Sequence, residues 1–157
     1  MAQPTRLLCV FVAMLMWALP AAPQTLPAAQ PAPVLDNVDL MDLMVKPAYD
    51  EVRQATAKPP ADRKAWAALY QNAARLAEIE NLLFLRTRAG EGRKAEWDAK
   101  AAAARQASAE VAAAALRALR NASAADFDDV TRRFSAVADG CNACHRAFAR
   151  EAPMIKR

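Results

Sequence analysis

Five residues twelve positions before the C-terminus, Cys141-Asn142-Ala143-Cys144-His145, constrain this chain more than any others. C-x-x-C-H is the pattern by which a c-type haem is attached. Two cysteine sulfurs add across the porphyrin vinyl groups, and the adjacent imidazole becomes an axial ligand of the iron. The spacing calls for a helix. At about 100° per residue, Cys144 falls about 60° to one side of Cys141 and His145 about 40° to the other. All three groups then share one arc and can hold a flat macrocycle by one edge and one face. Two other uses of paired cysteines fit less well. A thioredoxin-like redox pair needs a strand before its helix, and residues 130–138 read as helix. A structural zinc site needs four ligands. The remaining cysteine, Cys9, lies in a segment expected to be removed, and His145 is the only histidine.

Residues 1–22 have the parts of a secretory signal peptide: Arg6, an unbroken apolar run from Leu7 to Leu19, then small residues at Ala21 and Ala22. The run is short for a bilayer span and no stop-transfer charges follow it. An uncleaved anchor is the alternative. Cleavage is compatible with Ala21, Ala22, Ala28 or Ala29, and residues 23–35, rich in Pro and Ala, read as a flexible leader. The folded domain is expected over 36–157, in the periplasm. Export and motif agree, because covalent haem attachment of this kind takes place outside the bacterial cytoplasm. With only Cys141 and Cys144 left, a structural disulfide would consume the motif.

The 157 residues suit one domain, and Arg6 is the only charge in the first 35, so nearly all of the net +4 belongs to the remainder. Acids and bases alternate there without a block of like charge, which excludes a nucleic-acid arm. From Asp36 onward the pattern is helical, rich in Ala and without strand-like alternation. Four helices are expected, over 36–57, 61–88, 94–120 and 124–150. They are separated by Lys58-Pro59-Pro60, Ala89-Gly90-Glu91-Gly92 and Asn121-Ala122-Ser123. Short breaks between long amphipathic helices imply an all-α, antiparallel up-down-up-down four-helix bundle, with the haem near the last helix. The expected core stripes are Val38, Met41, Val45, Ala48, Val52 and Ala55; Trp66, Leu69, Ala73, Leu76 and Leu83; Trp97, Ala101, Ala104, Ser108, Val111, Ala115 and Leu119; and Phe127, Val130, Phe134, Val137, Cys141, Cys144 and Phe148. Pro47 lies inside the first helix and should kink or interrupt it.

With one histidine, bis-His ligation is excluded by counting. A Met, a Lys or an open position remains opposite His145. Met41 lies near the centre of the first stripe and Met44 is displaced by about 60°. Thioether ligation raises a haem potential relative to stronger donors, while packing is the other use of a core Met.

Together these features resemble the cytochrome c-prime family, the class II cytochromes c, over residues 36–150. The motif with Phe148 is similar to the family's C-x-x-C-H-x-x-[FY] signature. Leu40-Met41, followed by Pro47 and Asp50, resembles the first-helix pattern of members whose Met binds iron. The resemblance implies one covalent haem c and its iron, with Cys141 and Cys144 as thioethers, His145 as proximal ligand and Met41 as distal ligand. It implies electron transfer for the low-spin, Met-ligated branch. For the high-spin branch it implies nitric oxide or carbon monoxide binding. Two positions depart from the family. Ala149 stands where Arg or Lys is usual beside a propionate, leaving Arg146 or Arg150 to substitute, and Asn37 and Val38 occupy the region of a high-spin-branch Arg.

The expected function is therefore a soluble one-electron carrier, not an enzyme, since one His and no clustered acid/base pair leave little machinery beside the haem. A gas-binding protein is the alternative. Redox partners are not named by the sequence. Homodimers are common among relatives, and the apolar flank at Leu40 and Leu43 is the one feature here that points that way.

Overall fold

The computed structural model describes residues 31–86, 91–120 and 123–156. The expected signal peptide and most of the leader lie outside the described residues. Among the described residues there are four helices and no strand. Helix α1 is composite: an α-helical turn at Asn37–Leu40, a π-helical stretch at Met41–Val45 and an α-helix at Lys46–Ala55. Helix α2 spans Arg63–Glu80 and tightens into a 3₁₀ turn at Asn81–Leu85. Helix α3 spans Lys94–Ala118 and α4 spans Ala124–Phe148.

Three of the four starts are set by a short polar side chain that accepts a backbone N–H left free in the first turn, whereas α3 begins at Arg93 without a side-chain cap. Asp36 accepts from Asp39 N at 2.8 Å and Asp62 from Ala65 N at 2.7 Å. Ser123 and Asp126 cap α4 reciprocally, the Asp126 carboxylate taking the Ser123 N–H at 2.9 Å. The end of α2 differs from the expected run to Arg88. Trp97 Nε1 donates to Leu83 O at 2.8 Å and Arg86 Nη1 to Leu82 O at 2.7 Å. These side chains take the last carbonyls, and the chain leaves the helix at an extended Arg86.

Cross-helix contacts set the register. Between α3 and α4, Arg117 meets Asp129, Arg133 meets Glu110, a Cβ on Gly140 would lie 3.5 Å from Ala104 Cα, and the Trp97 and Phe148 rings lie 5.2 Å apart. Later residues of α4 meet earlier residues of α3, so the two are antiparallel. Arg105 reaching Asn81 and the Arg75–Glu51 pair relate α3 to α2 and α2 to α1. Tyr49 and Phe134, with ring centroids 5.0 Å apart, join α1 to α4. The expected four-helix bundle is the observed one.

The stripes of α2 and α3 are buried as expected except for the half-buried Leu119. On α4 the buried middle of Val130, Phe134 and Val137 is flanked by half-buried Phe127, Cys141, Cys144 and Phe148. Helix α1 departs from expectation. Val38, expected in the core, is 54% exposed, whereas Leu40, expected on an apolar flank, is fully buried. The cause is the π stretch, in which Lys46 N–H bonds Met41 O, five residues back. Pro47 has no N–H for the carbonyl four residues before it, and its ring would crowd that group; widening the turn upstream relieves both. The widened turn inserts one residue, which advances the upstream face by one position and carries Leu40 inward. Only Leu43, 66% exposed, remains of the expected flank.

Candidate functional site

The bundle gathers the chemistry-bearing residues at one end. Tyr49 faces Phe134. Eight residues back along α1 stands Met41, and eight residues forward along antiparallel α4 stands Asn142, in the centre of the motif. Met41 is therefore level with Cys141, Cys144 and His145. The ends of α2 and the start of α3 complete this end through Glu80, Leu83 and Trp97. Met41 is half-buried and packs on the core. Met44 also touches the core but lines an outer groove between α1 and α2 with Leu43, Pro47, Arg75 and Ile79.

Cys141 and Cys144 are both free thiols packed against the core cluster. Burial, reinforced by the nearby Glu80 and Cys144, pushes the Cys141 thiol up to about 12. Burial also raises Cys144, eased by Lys100. Both sulfurs are thus held as neutral thiols at neutral pH, which slows oxidation because the thiolate is the reactive form.

His145 lies on the outer side of α4 beside an open hollow of about 340 Å³ lined by Arg146, Ala149, Arg150, Ala152 and Met154. Its Nδ1 is 3.2 Å from Pro153 O. A carbonyl only accepts, so Nδ1 carries the proton in that contact, and in the neutral ring the lone pair is then on Nε2, the nitrogen a metal would take. Arg146 and Arg150 stand next to this histidine as the sequence suggests. Arg93, from the start of α3, also reaches this end, its guanidinium 4.4 Å above the Phe148 ring and donating to Ala147 O.

Glu80 is the polar residue that sequence reasoning missed. It is 1% exposed, and both its carboxylate oxygens, like Ser108 Oγ, are buried without a hydrogen-bond partner. Burial raises its pKa to about 7, with Ser108 near enough to ease the penalty in part. The signal was available, because position 80 falls between Leu76 and Leu83 on the α2 stripe. The folded-back C-terminal segment was also missed, since residues 151–156 carry no periodic pattern.

Two free thiols one helical turn apart, an imidazole with Nε2 available and a thioether at the same level form a donor set suited to a covalently held haem. Among the described residues no group of three or more His, Cys, Asp or Glu could hold a metal ion, so the zinc alternative has no completing ligands there. No curated protein and no solved structure matches the chain significantly. Residues 35–149, most of the chain, match the family model Cytochrome C'. The chain belongs to the Cytochrome C' family, and is thus a c-type cytochrome with covalently attached haem c and its iron, in a family that transfers electrons or binds ligands at that haem.

Proposed function

We propose that the protein is a periplasmic one-electron carrier, exported by a signal peptide at residues 1–22, with its haem held by Cys141 and Cys144 and its iron bound between His145 and Met41. The observation that carries this reading is the Tyr49–Phe134 contact, whose register brings Met41 level with the motif. Met41 opens the π-helical stretch, a feature frequent at functional sites, whereas Met44 sits in the outer groove. When bound, the haem supplies a ferric/ferrous couple. The chain's own residues do the rest. The two sulfurs anchor the macrocycle edge on α4, and His145 presents Nε2 with its Nδ1–H engaged. Met41 offers a soft thioether from a second helix, which suits ferrous iron and raises the potential. Ligands each fixed on its own helix of one bundle move little between oxidation states, so electron exchange requires little rearrangement.

Export agrees with the family, whose members are typically periplasmic, and no described helix is long and apolar enough to cross a membrane. The ferric optical spectrum tests the ligation. A low-spin spectrum with a thioether charge-transfer band that Met41→Ala converts to high spin is the expected result. A high-spin wild-type spectrum that shifts with carbon monoxide would establish the gas-binding reading instead.

A further inference from the structure

We propose that Asn142 and the C-terminal segment 149–156 form a strap that sets the electron-donating strength of His145, with Asn142 as the positioning residue. The inference rests on His145 being the proximal iron ligand and is independent of what binds opposite it. Covalent attachment requires nothing of the two residues between the cysteines, yet the Asn142 amide is engaged through both its nitrogen and its oxygen. Its Nδ2 donates to Ile155 O at 3.0 Å, and its Oδ1 accepts from Ile155 N at 2.7 Å. One side-chain amide thus pairs both backbone groups of one tail residue, as a neighbouring strand would. Tyr49 Oη donates to Lys156 O at 2.8 Å, and the Ile155 side chain packs against the core.

The other end of the strap is anchored on α4 itself. Ala149 N donates to His145 O at 2.8 Å, and Ala152 N donates to Ala149 O at 2.9 Å. Pro153, with its restricted φ, lies between these two anchorages. Its carbonyl is held 3.2 Å from His145 Nδ1. An acceptor on the distal nitrogen of a metal-bound imidazole fixes the ring and makes it more basic, which favours the more highly charged ferric iron. Asn is a poorer helix former than Ala, so its place inside α4 is accounted for by these two bonds rather than by helix stability.

The test uses haem-loaded full chain, Asn142→Ala and a chain ending at Ala152. In ferrous protein, NMR hydrogen exchange at His145 Nδ1–H and at the Ile155 amide reads whether the strap is closed. Midpoint potential reads its effect on the iron. In Asn142→Ala both protons should lose protection, and in the shortened chain the Nδ1–H should. The potential should rise in both variants by at least roughly threefold in the redox equilibrium, about 30 mV at 59 mV per tenfold. Tyr49→Phe, which removes the Lys156 anchor and leaves the Asn142–Ile155 pair in place, should shift the potential less. Unchanged potentials in both main variants, whether or not protection is lost, would overturn the strap. A high-spin wild-type spectrum with the potential still shifted in both would overturn Met41 ligation and support the strap.

Discussion

Glu80 makes the stability of this protein depend on pH in a direction opposite to that of most carboxylates. Its ordinary value is 4.5 and burial raises it to about 7 in the folded chain. Below the ordinary value both folded and unfolded chains hold the proton, and nothing is lost. Between there and about 7 the unfolded chain ionises while the folded one does not, so stability falls as pH rises. Above about 7 the full loss is reached. From 4.5 to about 7, at 1.36 kcal/mol per pKa unit, that loss is about 3 kcal/mol. Glu80→Gln keeps the shape and a neutral polar head but cannot ionise. Urea denaturation followed by circular dichroism should show the variant and wild type nearly equal at pH 4.5. By pH 8 the variant should lead by about 3 kcal/mol, with effects of all other titrating groups cancelling in the difference. A variant no more stable than wild type at pH 8, or equally favoured at both pH values, would refute the buried, unpaired state of this carboxyl.

Other substitutions examine the remaining structure. Leu40→Ala should destabilise by about 2–5 kcal/mol, whereas Val38→Ala should fall within about 0.5 kcal/mol of wild type. The reverse order in thermal melts would mean that α1 has no π-helical turn. Trp97→Phe removes the donor to Leu83 O and part of the contact with Phe148, and should cost about 1–3 kcal/mol by denaturant titration; a neutral result would detach Trp97 from the end of α2. In haem-free protein, iodoacetamide at pH 8 should label Cys144 before Cys141, because Cys141 is the more strongly raised thiol. Mass spectrometry showing the opposite order would reverse that assignment of burial.

The helices and most of their inner faces were legible in the sequence because Ala-rich amphipathic periodicity and the breaks that hold Pro, Gly and Asn act locally. Asp62 and Ser123 begin helices through bonds to N–H groups three residues on, at or within two residues of the starts expected at 61 and 124. The C-x-x-C-H spacing likewise carries its own geometry. Helix α1 was harder to read, for Pro47 announces a disturbance but not its form. A kink would have left Val38 inside, and a π turn puts Leu40 there. The end of α2 depends on Trp97 and Arg86 reaching back to carbonyls, which are tertiary events. The site is split in the same way. The residues on α4 follow from the motif, while the level of Met41 depends on a ring contact between Tyr49 and Phe134. Residues 149–156 make their bonds to an amide and an imidazole already fixed elsewhere, so nothing in their own composition forecasts a path.

The seams between the helices are unequal. Those of α2 with α3 and of α3 with α4 are long, whereas α1 leans mainly on α2 and meets α4 through few residues. Helix α1 is also the one interrupted by a non-α turn. It should accordingly be the first part of the molecule to detach, in a partial opening that leaves a three-helix remainder intact. Backbone amides of α1 would then exchange with solvent well before those of α3, and equal rates would exclude such an opening. Under the ligation proposed here the sulfur donor rides on the detachable part and the imidazole on the lasting one. A small competing molecule could then reach the metal by waiting for one helix to lift, with no need to unfold the protein.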